Sequence, residues 1–191
     1  MRPAEAKDTR TEPKGAAPGR VPRGLRAFLP HSRGATAIEF AILAAPFFAL
    51  VFAILETSTV FLAEMTLDRA VDQVGRELRT GEVQRDGDDA GRFRSRLCAQ
   101  VDFLMDCAKL AIDVKAYGKF SDIPSTPPIK EGALDTANFG FAPAGEKTIM
   151  ALRVYYRWPI YTDVMRKYLA DLSDGSFLVA SVAAFRTEPF E

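Results

Sequence analysis

The chain has 191 residues with 25 basic and 25 acidic side chains, so its formal net charge at pH 7 is zero. The only histidine, His31, lies in a basic N-terminal segment, and two cysteines alone cannot complete a zinc site or a Cys/His catalytic pair. Phosphate-loop and dinucleotide-binding fingerprints are absent from the sequence. We therefore expect a protein that is not an enzyme and that holds no metal, cofactor or small-molecule substrate.

Residues 1–34 differ from the rest of the chain in charge and composition. They carry eight Lys or Arg against three acidic residues, a net charge of +5, whereas residues 35–191 carry −5. Because proline, glycine and alanine are frequent, we expect a disordered leader. Basic segments beside a membrane helix stay in the cytoplasm. Nucleic-acid binding is not expected, since Phe28 is the only aromatic residue here and the neighbouring apolar helix accounts for the charge.

Residues 35–55 are strongly apolar and contain one charged side chain, Glu39. These 21 residues would extend about 31 Å as a helix, which matches a hydrocarbon core of about 30 Å. The polar stripe of a soluble core helix is missing. The sequence therefore predicts a single transmembrane helix. Pro46 would remove one backbone hydrogen bond inside it, so we expect a kink there.

The residues around the start of this helix follow a recognisable order. The basic segment ends at Gly34, four residues follow, and then Glu39 and Phe40 open the apolar run. This order is typical of the sites that prepilin peptidases cut. The sequence RGATAIEFAILAAPFF resembles the start of TadE-like pseudopilins of the tight-adherence (Flp, type IVb) pilus system. The resemblance is close from Arg33 to about Val60.

The resemblance implies a processing site and an assembly site. A prepilin peptidase would cut between Gly34 and Ala35, and the helix would stay with the mature chain. Glu39, next to Phe40, would then pair with the new amine of Ala35 on a neighbouring subunit, because charges buried in lipid stabilise each other only as a matched pair.

The resemblance also implies a cellular role. The expected protein is a minor pseudopilin of the bacterial inner membrane, single-pass, with its N-terminus in the cytoplasm and residues 56–191 forming a pilin-like domain in the periplasm. Its expected partners are inner-membrane lipid, the prepilin peptidase, other pilins or pseudopilins, and the Tad secretion machinery.

Two alternatives stay open at this point. An uncleaved bitopic protein of the same family could be a scaffold of the secretion machinery. An unrelated membrane-tethered binding or enzyme domain could carry the Gly34 pattern by chance. Glu39 also has a simpler interpretation, because an acid near a helix N-terminus is favoured by about 0.3–1 kcal/mol and can partly reach the membrane interface.

Beyond Leu55 the same helix is predicted to continue with one apolar face. The apolar positions recur at helical spacing: Val60, Leu67, Val71, Val74 and Leu78. Gly81 would end the helix. The rest of the chain must then cover this apolar face.

A second helix is predicted after the turn at residues 86–90, with Asp88 or Asp89 as its N-cap. Its apolar positions are Phe93, Leu97, Val101 and Leu104. The acids at positions 86, 88 and 89 could suggest a calcium loop, but the downstream glutamate and the full loop spacing are missing.

Cys98 and Cys107 are expected to form a disulfide, because two cysteines outside the cytoplasm usually pair. A continuous helix would hold their Cα atoms about 13 Å apart. That distance far exceeds the roughly 7 Å limit for a disulfide. If the two residues are joined, the helix must end between them, and we place its end around Met105–Asp106.

The remaining chain predicts three strands, a long proline-rich loop and a short helix. The first strand is expected to begin near Lys109, and the other two are expected to span Ile149–Trp158 and Phe177–Phe185. The loop covers residues 119–147, and the short helix covers Tyr161–Leu172. The predicted fold class is therefore α+β: a long N-terminal transmembrane helix that continues into a domain with a small antiparallel sheet and short helices.

Overall fold

The longest element of the computed structural model is helix α1, which runs from Ser32 to Arg79. The structure describes residues 32–189. Residues 1–31, which belong to the leader that is predicted to be disordered, therefore lie outside the described part of the chain. The chain divides into two compact units, residues 1–46 and residues 47–191. The described part of the first unit is entirely helical.

Helix α1 is long and apolar enough to cross a membrane, by length and composition. An 18-residue stretch within it has a mean hydropathy of 2.5, and none of this stretch is buried in the protein. This finding agrees with the transmembrane helix predicted at residues 35–55. Pro46 lies inside the helix, and the kink expected there stays a prediction.

The later part of α1 buries one face against the domain, as its periodicity predicts. All five predicted apolar positions are buried: Val60, Leu67, Val71, Val74 and Leu78. Gly81 follows the helix with a φ of 78°, in the left-handed region that residues with a Cβ rarely adopt. The predicted end of the helix is thus confirmed.

Two shorter helices come next, α2 (Glu82–Arg85) and α3 (Ala90–Val101). The Asp89 side chain accepts a hydrogen bond of 2.8 Å from the backbone N–H of Arg92, so Asp89 is the N-cap of α3. Phe93, Leu97 and Val101 are buried, as predicted.

The predicted end of α3 near Met105–Asp106 is wrong, because the helix ends at Val101. The N–H groups of Leu104 and Met105 both bond back to the Val101 carbonyl, at 3.0 and 2.8 Å. Met105 is buried at this turn. If the helix continued for one more turn, Met105 would lie further along the helix axis. Leu104, placed on the helix by its spacing, therefore lies in the turn.

Three antiparallel strands form the main sheet in the order β1–β4–β5. They are β1 (Ala111–Tyr117), β4 (Ile149–Trp158) and β5 (Phe177–Arg186). The central strand β4 has the predicted bounds, and only Arg157 within it is exposed. Its β-branched and aromatic residues suit a strand that is covered on both faces.

The long loop predicted at residues 119–147 wraps one face of the sheet and has a little structure of its own. A hairpin pairs β2 (Ile129–Lys130) with β3 (Ala133–Leu134). Its turn residues Glu131 and Gly132 have φ values of 53° and 75°, as a tight hairpin turn requires. Further along, the Val114 N–H bonds to the Gly140 carbonyl at 2.7 Å, which covers the free edge of β1.

Helix α4 (Asp163–Leu169) is shorter than the predicted helix Tyr161–Leu172. Within the predicted range, Leu172 is buried but lies outside the helix, while Val164 and Tyr168 are exposed. The backbone turns extended at Ala170, and the N–H of Leu172 bonds to the Ser176 carbonyl at 3.2 Å. This turn separates Leu172 from the helix.

The core lies between the sheet and the helices α1 and α3. Alternate residues of β4, from Met150 to Trp158, join the buried face of α1 in one apolar cluster. A Cβ added at Gly75 of α1 would lie 3.2 Å from the Cβ of Ala183 in β5, so the helix and the sheet approach closely there. The structure confirms a mixed α+β fold with a long apolar N-terminal helix, a small antiparallel sheet and short helices.

Candidate functional site

The predicted processing and assembly residues all lie in the first turns of α1. Gly34 and Ala35 follow the first residue of the helix, Ser32. Glu39 and Phe40 lie one turn further on and are exposed. Among residues 36–189, Glu39 has no hydrogen bond or ion pair to another side chain.

An acid in an apolar span usually serves a function, because burying its charge in lipid costs several kcal/mol. Since no described residue of this chain neutralises Glu39, a partner would have to come from elsewhere or from the membrane interface. The pairing of Glu39 with the amine of Ala35 stays a prediction.

A second acid, Glu56, is the first residue after the predicted span, and its side chain is 7% exposed. Its carboxylate accepts hydrogen bonds from residues far along the chain. The backbone N–H groups of Tyr161 and Thr162 donate to Oε1 at 2.5 and 3.2 Å. The Thr162 hydroxyl donates to Oε2. We call these three residues the Glu56 site.

Thr162 connects the Glu56 site to helix α4. Its hydroxyl oxygen also accepts a hydrogen bond of 3.4 Å from the Met165 N–H, which makes Thr162 the N-cap of α4. One threonine therefore joins α1 to the start of α4. An apolar cleft of about 240 Å³ lies beside it, lined by α1 residues such as Phe52 and by Trp158 of β4.

The Glu56 carboxyl is held in its charged form. Burial by itself raises the pKa of Glu56, but the hydrogen bonds from Thr162 and Tyr161 outweigh this effect and bring the pKa below its ordinary value. Arg166 adds a further attraction to the carboxylate. Glu56 is therefore ionised at neutral pH, and its charge stabilises the folded domain.

Sequence reasoning missed the Glu56 site. An acid at the end of an apolar run looks like an ordinary solvated residue, and its partners lie more than 100 positions away. The only local signal was Thr162 before Asp163, which is typical of a helix N-cap.

The predicted disulfide between Cys98 and Cys107 is present, with a Cα–Cα distance of 5.6 Å. It joins α3 to the 3-10 turn Cys107–Lys109. Beside it, the Asp106 N–H donates to the Tyr156 hydroxyl at 3.2 Å. The disulfide and this bond together hold the end of α3 against the central strand.

The acidic turn before α3 binds an arginine. Asp89 is used as a helix cap, while Asp86 and Asp88 accept hydrogen bonds from Arg96 at 2.5 and 2.6 Å. In the part of the chain that the structure describes, no group of three or more His, Cys, Asp or Glu side chains is arranged to hold a metal ion.

Residues 34–76 match the family model described as TadE-like protein. This segment is TadE-like. The match begins at Gly34, contains the predicted span, and ends within the buried part of α1. No curated protein matches the chain. No solved structure matches it either.

The match confirms the family prediction for this segment. A TadE-like segment supports an association with the Tad pilus in general, and α1, the one helix among residues 32–189 that is long and apolar enough to cross a membrane, fits a single-pass membrane protein. Gly34, Glu39 and Glu56 all lie inside the TadE-like segment. The partners of Glu56 lie in the C-terminal part of the chain, outside the match.

Replacing Glu56 by Gln tests the Glu56 site. The substitution keeps the size of the side chain but removes the charge that three donors face, so we expect the free energy of unfolding to fall by about 1–3 kcal/mol. Trp158 lines the same cleft, and its fluorescence during denaturation in detergent would report the change. Glu64→Gln on the same helix is the matched control, with an expected effect within about 0.5 kcal/mol.

The pH dependence gives the same test a second readout. Because the pKa of Glu56 is lowered on folding, its stabilising contribution is complete above its ordinary pKa and is lost as the pH falls through the folded-state pKa. The wild-type protein should lose this stability on acidification below about pH 5, whereas Glu56→Gln should lack this part of the dependence. Equal pH profiles would contradict the assignment.

Proposed function

We propose that this protein is a minor pseudopilin that takes part in assembling a tight-adherence pilus, and that a prepilin peptidase processes it between Gly34 and Ala35. The observation that supports this most is the start of the TadE-like match at Gly34 itself. A processing site at the membrane edge leaves the whole apolar helix on the mature chain, as subunit packing through that helix would require.

Assembly would depend on the unpaired acid of the span. Cleavage creates a cationic amine at Ala35, and Glu39 carries the only other charge of residues 35–55. In lipid the two charges are stable only as a pair. A subunit already in the assembly would therefore attract the next subunit through this contact.

The C-terminal domain, residues 56–191, would lie in the periplasm and supply the surfaces that meet other pilus components. The Cys98–Cys107 disulfide suits an oxidising compartment of this kind. In this proposal the domain acts by binding and has no catalytic activity of its own. The protein would be a substrate of the peptidase.

One observation favours a second candidate, an uncleaved scaffold of the same machinery. Helix α1 begins at Ser32, so the Gly34–Ala35 bond lies within helical backbone. A peptidase needs an extended substrate, and cleavage would first require the initial turn to unwind. Helix ends fray readily, so this turn is a small obstacle to processing.

The N-terminus of the protein from its native host tests the processing step. We expect the mature chain to begin at Ala35 in intact-mass and N-terminal sequencing measurements. Gly34→Val, which places a branched side chain at the cut bond, should retain the leader. Gly24→Val is the matched control and should still be cut. A wild-type chain that retains Arg33 would reject processing and leave the scaffold function.

A separate variant tests the assembly contact. Glu39→Gln removes the charge but keeps the side-chain size, and we expect the number of pili per cell to fall roughly tenfold or more, the effect of losing about 1.4 kcal/mol per contact. Glu64→Gln, beyond the span on the same helix, should leave piliation unchanged. Normal piliation in the Glu39→Gln strain would contradict the proposed role of this carboxylate.

A further inference from the structure

The short helix α4 and the residues before it present large side chains to the outside of the domain. Tyr161, Val164 and Tyr168 are 77%, 69% and 73% exposed. Val164 and Tyr168 are four positions apart and share one face of the helix. We call these three residues the α4 surface. Nothing in the described part of the domain covers it.

The Glu56 site fixes the position of the α4 surface. Tyr161 and Thr162 bond to the carboxylate of Glu56, and the neighbouring residue on α1, Leu55, ends the predicted span. A helix rises about 1.5 Å per residue, so the start of α4 lies level with the end of the predicted span. Phe52 and Leu55, both 55% exposed, continue the apolar surface along α1 on the membrane side.

We propose that the α4 surface lies in the phospholipid interface of the bilayer that α1 spans. Tyrosine suits this layer, because its ring is apolar and its hydroxyl can bond to headgroups and water. Lys167, also exposed on α4, can approach lipid phosphate. The domain would then rest on the membrane through α4 in addition to its covalent link through α1.

The charges around α4 are arranged to suit this placement. Arg166 forms an ion pair with Asp163 at 3.1 Å and donates to the Ile160 carbonyl at 3.2 Å. Both contacts hold Arg166 along the helix, and its pairing with Asp163 means that the two side chains together add no net charge beside the α4 surface. This inference depends on α1 being a membrane span and is independent of the pilus function.

The bilayer contact can be measured by tryptophan quenching. The full chain would be placed, one copy per disc, in nanodiscs of phosphatidylethanolamine and phosphatidylglycerol, with or without bromine on the acyl chains near the headgroup. A tryptophan is introduced by Tyr168→Trp, at an exposed position where the fold should tolerate it. The wild-type chain gives the baseline from Trp158.

Two matched variants serve as the positive and the negative control. Phe48→Trp places the probe on the exposed apolar part of α1. Phe120→Trp places it after β1, which ends opposite Ile149, at the far end of β4 from Trp158. Ten residues of strand separate the two ends of β4 by about 30 Å, so the Phe120 position should lie beyond the reach of the lipid bromines.

We expect brominated lipid to reduce the emission added by Tyr168→Trp roughly twofold or more, as it does for Phe48→Trp, with no loss for Phe120→Trp. Val164→Trp should repeat the result and guards against a folding defect in one variant. Quenching for Phe48→Trp alone would overturn this proposal and leave the α4 surface to a protein partner. Absence of quenching for both would overturn the membrane span as well.

Discussion

Helix α1 has to satisfy two environments, and the change between them falls between Leu55 and Leu67. Up to Leu55 its large apolar side chains are exposed on all sides, as a lipid-facing helix requires. From Val60 onward one apolar face is buried against the domain. Phe61, Leu62 and Met65 are still exposed, and after Met65 the exposed residues of the helix are polar or charged. Glu56 lies between the two regions, where a charge ends the apolar run. The rest of the fold follows from this change.

The domain covers the apolar face of the second part of α1. Its central strand β4 runs past α1 with alternate residues in the shared core, and each large apolar side chain buried there contributes about 1.5–3 kcal/mol. Close approach at Gly75 lets β5 join the same face. The Glu56 site holds the chain entering α4 against α1. Each of these contacts brings a distant segment back to α1, while the Cys98–Cys107 disulfide and the Asp106–Tyr156 hydrogen bond hold the end of α3 against the central strand.

The sequence predicted those parts of the fold that periodicity controls. Apolar spacing placed the buried face of α1, and a run of β-branched and aromatic residues placed β4 with correct bounds. The contacts between distant segments were not predicted from the sequence. The early end of α3 at Val101 depends on how Met105 packs, and the Glu56 site depends on Thr162 reaching α1. At the candidate site, the pattern located Gly34 and Glu39 in the matching segment, but their functions depend on partners that one chain does not contain.

The central claim is that lipid contact along α1 ends after Glu56 and before Leu67, and that the domain covers the helix from there. The most direct test is solution NMR of the full chain in nanodiscs, with one paramagnetic agent in the lipid and another in the water. We predict that the lipid agent broadens the signals of residues 47–55, and that the water-soluble agent broadens the exposed residues of α1 from Asp68 onward. Broadening by the lipid agent that extended to Leu67, or that missed residues 47–55, would contradict the account.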